Sequence, residues 1–210
     1  MSKLHLRTPR LNVRDFRESD WLDVVRRTSS PEVARYMTWE SSNLSDKETV
    51  LDWIREQRTF DLSVLDRYLE FAVTLAGRNI GDVGLKRFSH TPTLAEVGWV
   101  FERAAQGQGY ATEAAGALLD WSFCHLRLRR IIARCDARNR ASYQLMERLG
   151  MRREAHHKKS RLVKGQWIDE LVYAVLDEEW AGRTAPIYSV LEPLTATVFG
   201  SPVDKKKEVA

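Results

Sequence analysis

The chain has little that would anchor it, cross-link it or steer it to one charged partner. No run of ~18 apolar residues occurs, so no membrane span and no membrane partner are expected. The opening Met1-Ser2-Lys3-Leu4-His5-Leu6-Arg7 is too polar for the apolar core of a secretory signal. A cytoplasmic location is the expectation that follows. There are only two cysteines, Cys124 and Cys135. Each lies in an apolar stretch and reads as a small buried hydrophobe. A disulfide is not expected in a reducing compartment, and the spacing does not fit a zinc site, so no metal is expected. A strong charge excess is also missing. Lys and Arg total 33 against 29 Asp and Glu, a net +4 spread along the chain. That balance suits a polyanionic ligand such as a nucleotide cofactor, and it does not mark a nucleic-acid-binding surface.

What is present is a globular composition, 43% hydrophobic over 210 residues, enough for one good-sized core. No repeat and no linker interrupts residues 1–181, which read as one domain. Residues 4–16 read as an extended opening segment with alternation at Leu11, Val13 and Phe16. Residues 19–29 put Trp21, Val24, Val25 and Thr28 on one helical stripe. A second helix opens with the capping box Ser45-x-x-Glu48, runs to about Phe60, and turns Val50, Leu51 and Ile54 to a core. The period then changes to two. Three strands are predicted at 68–76, 80–89 and 94–102, with Gly77-Arg78-Asn79 as a hairpin turn. A helix over about 111–127, a buried strand at 131–135 and a helix over 139–149 follow, the last closed by Gly150. Strands at 151–160 and 167–176 form a hairpin through Lys164-Gly165. The strand–helix–strand unit at 95–135 predicts a right-handed parallel crossover. The result is an α/β fold on a mixed sheet. Past Trp180 the pattern dissolves, and 182–202 read as an irregular arm packing on the domain or on a partner subunit. The end of this 182–210 segment reads as disordered.

The chemistry sits between the third strand and the helix after it, in Gln106-Gly107-Gln108-Gly109-Tyr110-Ala111-Thr112. Glycines at 107 and 109 let the backbone turn tightly and approach a ligand. The helix that follows offers unpaired amides and a positive dipole end. Together these make a diphosphate site. Two glycines alone would also fit a plain strand-to-helix turn.

The string Gln106-x-x-Gly109-x-Ala111 resembles the acyl-coenzyme A signature of the GNAT superfamily of N-acetyltransferases. The wider phrase Gly107-Gln108-Gly109-Tyr110-Ala111-Thr112-Glu113-Ala114 resembles its RimJ/RimL-type branch of ribosomal-protein-alanine acetyltransferases. Further matches are Leu6-Arg7-Thr8-Pro9-Arg10-Leu11, Ala95-Glu96-Val97-Gly98-Trp99-Val100, Asn139-Arg140-Ala141-Ser142, Leu149-Gly150-Met151, Trp167-Ile168-Asp169-Glu170 and Glu179-Trp180. The resemblance spans about residues 4–180. It implies a mostly antiparallel sheet of six to seven strands with one splayed parallel pair, flanked by about four helices. It also implies transfer of an acetyl group from acetyl-CoA to an amine, either a peptide N-terminus or a small molecule. Bulkier acyl groups stay open. A homodimer is expected, with the 182–202 arm contributing to it.

The same resemblance assigns roles. Trp99, Val100 and Phe101 would line the splay where the pantetheine arm adds like a strand. The amides of Gln106, Gly107, Gln108, Gly109, Tyr110, Ala111 and Thr112 would hold the diphosphate. Asn139 would hold the pantetheine, and Ser142, one turn further along the helix, would lie near the sulfur and donate a hydrogen bond to the leaving thiolate, the alternative being direct thiolate departure. Asn139 could equally be a plain helix cap. The chain departs from many superfamily members in having Met146 where they carry an acidic tyrosine; Tyr143 points elsewhere. An amine arrives protonated and must lose a proton, which calls for a carboxylate. Glu96 is the candidate, with Asp136 second; Glu102 and Glu113 lie beside the diphosphate site. A strand-end ion pair is the plain alternative for Glu96. The basic strand around His156-His157 reads as a solvated face. Trp39 falls in a segment that walls the acceptor pocket in this fold.

Two other functions compete. A dinucleotide-binding oxidoreductase would use Gly107-x-Gly109 and Asp136, but Thr112 stands where a third glycine belongs. A non-catalytic acyl-CoA sensor would keep the loop without turnover.

Overall fold

A computed structural model describes residues 4–42, 46–59, 63–181 and, for the backbone alone, 189–190. Among them a single nine-stranded sheet forms the centre. Its strands in chain order are β1 (His5–Arg7), β2 (Asn12–Arg14), β3 (Tyr68–Leu75), β4 (Arg78–Phe88), β5 (Thr91–Phe101), β6 (Arg130–Asp136), β7 (Arg152–Val163), β8 (Gln166–Leu176) and β9 (Ser189–Val190). They lie side by side in the order β7-β8-β6-β5-β4-β3-β2-β1-β9. All neighbours are antiparallel except β5 and β6. The α-helices are α1 (Trp21–Thr28), α2 (Pro31–Ala34), α3 (Lys47–Thr59), α4 (Tyr110–Leu126), α5 (Arg140–Arg148) and α6 (Asp177–Ala181). No helix of the described residues is long and apolar enough to cross a membrane.

The α/β mixed sheet with one parallel pair is the expected one, with more strands than six or seven. The opening segment 4–16 is not one strand. Thr8 Oγ1 and the Thr8 amide both bond to the Leu11 carbonyl, which folds Thr8–Leu11 into a turn between β1 and β2. β9 adds a further edge by pairing with β1. The rest of the expected arm at 182–202, and the C-terminal residues beyond it, lie outside the described residues. The two helices beyond the expected four are α2 and α6, of 4 and 5 residues, too short to show a helical period.

The β3–β4 turn is Ala76–Gly77, since Leu75 already pairs with Arg78. Both turn residues have positive φ, 49° and 86°, the primed twist that two-residue hairpins need. The β7–β8 turn at Lys164-Gly165 has the same geometry and is where it was expected. Gly150 takes φ 72° past α5, as a C-terminal cap requires. Ser45 lies outside the described residues. Asp46 does the capping of α3, accepting from the Thr49 amide at 3.0 Å.

One sheet face is apolar. Phe71, Val73, Val83, Leu85, Val97 and Phe101 pack under α4 with Leu118, Leu119 and Trp121. The cysteines are less buried than predicted: Cys124 is exposed and Cys135 half-buried. On α4, the inward stripe runs through Leu118, Trp121, Ser122 and Leu126, which turns Cys124 outward. The expected stripe of α1 is only partly right. Val24 and Thr28 are buried as predicted, but so is the charged Arg27.

Candidate active site

Gly107 and Gly109 both adopt left-handed backbone, φ 76° and 79°. A Cβ at Gly107 would meet no atom within 4 Å, so the loop is open to an approaching ligand. Gly109 caps α4 without a side chain, and the first helical bond is Glu113 N to Gly109 O at 3.0 Å. The amides of Tyr110, Ala111 and Thr112 precede that bond and have no partner within the helix. Side chains pin the loop. Gln106 Nε2 donates to Phe101 O at 3.0 Å and Gln108 Nε2 to Ala104 O at 2.7 Å. Glu113 accepts from Thr8 Oγ1 at 2.6 Å, the Arg10 amide at 3.0 Å and Arg10 Nε at 2.6 Å. Arg10 Nη1 donates to Gln108 O, and the guanidinium stacks 4.6 Å from the Tyr110 ring centroid. The β1–β2 turn is therefore a clamp on the loop, a link that local patterning does not reveal.

The parallel pairing of β5 with β6 covers only Leu94–Glu96 against Arg130–Ile132. Beyond it the strands part, while β6 stays bonded to β8 as far as Asp136 opposite Glu170. The splay opens into a cleft of about 1320 Å³. Its lining takes Trp99 and Cys135 from one sheet face and Gly98 and Arg134 from the other. The cleft thus passes through the sheet and joins the glycine loop to the face away from α4. Tyr36, Met37, Thr38 and Trp39 wall it on that side, as the resemblance implied for Trp39.

Trp99, Val100, Phe101, Gln106, Gly107, Gly109, Ala111, Thr112, Asn139 and Ser142 all line this cleft; Gln108 and Tyr110 do not. Asn139 Oδ1 caps α5 by accepting from the Ser142 amide at 3.2 Å. Its amide nitrogen is left for the cleft. The Ser142 hydroxyl bonds to Cys135, whose thiol is pushed up to about 12, chiefly by burial. Met146 is buried in the core and does not line the cleft. Burial alone would raise Asp136, but its bonds to the Arg138 side chain and amide outweigh this and hold the carboxyl below the usual range.

Glu96 faces the cleft but is heavily engaged. Its Oε2 lies 3.1 Å from Lys86 Nζ and 3.7 Å from Arg134 Nε, and Tyr68 also bonds to the carboxylate. The ion pair weighed for it in the sequence is present. The registers place a polar set around it: Tyr68 beside Lys86 beside Glu96, then Glu70 beside Gly84 beside Gly98, then Asp82 beside Val100. Sequence reasoning missed Glu70. Burial first, and then the Asp82 carboxylate, push its carboxyl up to about 8 against the pull of Arg27. The signal was available in Tyr68-Leu69-Glu70-Phe71, where polar and apolar residues alternate on a strand sealed on its apolar face. Arg27 was missed too. It reaches from α1 to Asp82 at 2.6 Å and Asn79 at 2.5 Å.

An acyl-CoA thioester fits this arrangement, with open amides for a diphosphate at one end and an unpaired strand edge for an extended amide chain beside them. The model of the acetyltransferase (GNAT) domain matches residues 10–152. The chain belongs to the GNAT acetyltransferase family. This GNAT protein is an N-acetyltransferase that uses acetyl-CoA as co-substrate. It is 35% identical over 179 residues to "Uncharacterized N-acetyltransferase YnaD" of Bacillus subtilis, covering 84% of this chain and 99% of that one. A crystal structure of a GNAT-family acetyltransferase from Bacillus anthracis superposes with a TM-score of 0.72 at 32% identity, covering 84% of this chain and all of the other. The "Putative ribosomal N-acetyltransferase YdaF" of B. subtilis is 27% identical over 138 residues, 65% of this chain and 72% of its own length. That likeness accords with the RimJ/RimL-type branch.

Proposed function

We propose that this GNAT enzyme acetylates a primary amine by direct attack in a ternary complex, and that the acceptor is a protein N-terminal α-amine or a small-molecule amine. The observation that carries this reading is the through-sheet cleft, which joins the glycine loop to a carboxylate-lined face. When bound, acetyl-CoA supplies a thioester carbon that accepts the amine's lone pair. The amides of Gly107 to Thr112 hold its diphosphate, that of Gln106 being bonded to Arg103 O at 3.2 Å, and the backbone of Trp99, Val100 and Phe101 aligns its pantetheine with help from the Asn139 amide. An amide near Val100 polarises the thioester carbonyl. Glu96 accepts a hydrogen bond from the amine and orients it, and Ser142 delivers a proton to the departing sulfur. The protein-acceptor option draws support from the name of YdaF, which is that protein's and not yet this one's.

The test is thiol release from acetyl-CoA with peptides bearing free or blocked N-termini, free amino acids and diamines. Release with unblocked primary amines and none with blocked ones supports the reading. A melting-temperature rise with coenzyme A but no release for any amine identifies a sensor instead.

A further inference from the structure

Across the middle of the cleft face, two glycines stand side by side: Gly84 on β4 opposite Gly98 on β5, with Glu70 on β3 next in the same row. A Cβ would be crowded at Gly84 and in ordinary contact at Gly98. A Cβ on Gly84 would lie 3.2 Å from Glu70 Cγ and 3.2 Å from Tyr68 Cδ1, and one on Gly98 3.5 Å from Tyr68 Cε1. The two glycines make room for the Tyr68 ring and the Glu70 stem to lie close against β4 and β5. Glu70, Gly84 and Gly98 all line the cleft.

The carboxylates around the cleft differ in their partners. Glu96 has Lys86 and Arg134, Glu170 has Arg134 and Arg161, Asp136 has Arg138, and Asp82 has Arg27. Among the described residues, no hydrogen bond or ion pair engages the Glu70 carboxylate. Only its amide is held, by Gln57 Oε1 at 3.2 Å. The charged and titratable groups facing it are Tyr68 on its own strand, Asp82 and Lys86 on β4, Arg27 on α1, Glu96 on β5 and Arg134 on β6. Asp82 and Arg27 act on it most.

We propose that Glu70 takes the proton from the acceptor's ammonium in the cleft that it lines together with Gly84 and Gly98. This rests on the amine-acetylation reading above, and it moves to Glu70 the task that resemblance gave Glu96. The ammonium passes one proton to a Glu70 oxygen. The nitrogen lone pair then forms the N–C bond to the acetyl carbon, and the C–S bond breaks. The sulfur leaves with the second nitrogen proton, relayed by Ser142. Glu70 returns its proton to water when the product departs.

The experiment is the pH profile of kcat/KM for an α-amine acceptor in the wild type and in Glu70→Gln, Glu70→Asp and Glu96→Gln. The wild type should pass through a maximum near pH 8. Glu70→Gln should lose about 100-fold at pH 7 and rise steadily with pH until the amine's own pKa, the deficit shrinking above pH ~9 as free amine takes over. Glu70→Asp should keep the wild-type shape at a lower rate. A coenzyme A-induced melting shift equal to wild type shows that the variants are folded. If Glu70→Gln does not fold, Gly84→Ala, which presses on the Glu70 stem, should lower kcat with little change in the KM for acetyl-CoA. A Glu70→Gln profile parallel to wild type, or the steady rise seen in Glu96→Gln alone, overturns the proposal and leaves amine acetylation standing. A wild type that binds coenzyme A and acetylates no amine overturns both.

Discussion

Arg27→Met is the sharpest perturbation of the charge system under the cleft. The Arg27 side chain is 1% exposed and that of Asp82 8%, with 2.6 Å between Nη2 and Oδ2. At an effective dielectric constant of about 20, that separation corresponds to roughly 6 kcal/mol of attraction, partly offset by the desolvation of both ions. Methionine keeps the apolar stem but strips the cation from Asp82 and from Glu70 above it. Removing one partner of a buried pair costs about 3–5 kcal/mol. For a domain of this size that is a fall in Tm on the order of 10 °C. The pH dependence gives the reasoning its direction. Burial already raises the Asp82 carboxyl, opposed by Arg27, and Glu70 is raised likewise. Without Arg27 both rise further. A carboxyl whose folded pKa stands above its unfolded value binds its proton more tightly when folded, so it loses stability as pH climbs between the two. The penalty of Arg27→Met should therefore be largest near pH 8 and smaller near pH 5. Urea unfolding at both pH values measures it. A loss below about 1 kcal/mol, or one that grows as pH falls, would refute the account of a buried, cation-dependent carboxylate pair.

Three further outcomes are expected. Gly109→Ala forces a side chain into φ 79° at the cap of α4, at a cost of about 1–2 kcal/mol, and should raise the acetyl-CoA KM roughly tenfold; an unchanged KM would remove the loop from the donor site. Glu113→Ala releases Thr8 and Arg10 from their three bonds, and should lower the urea midpoint by the equivalent of about 1–3 kcal/mol and speed tryptic cleavage at Arg10. Because Glu70 is held near pH 8 against an ordinary 4.5, the wild type should lose stability as pH rises through that window. Glu70→Gln should then melt higher than wild type at pH 9 and alike at pH 5 in thermal scans.

Local patterning settled much of this protein. The alternation in β3, β4 and β5, the stripes of α3 and α5, and the glycines at 107, 109, 150 and 165 each act through their own backbone or nearest neighbours. Such features are written in consecutive residues. The glycine loop was legible for the same reason, since two glycines and a following helix are enough to define it. Contacts across the chain decided the rest. Arg27 looks like one more surface charge on α1 until α1 lies on β4 and its guanidinium meets Asp82, 55 positions away. Glu96 was readable as a cleft carboxylate, but its engagement by Lys86 and Arg134 depends on the β4–β5 and β5–β6 registers. Glu70 stands out only once β3, β4 and β5 are seen side by side, because a cleft is lined by several strands and belongs to no single one. The sequence alone therefore determined the family, the glycine loop at the start of α4 and most strands and helices. The tertiary structure decided which carboxylate is left without a direct ion pair, because charge pairing depends on distances that only the assembled sheet sets.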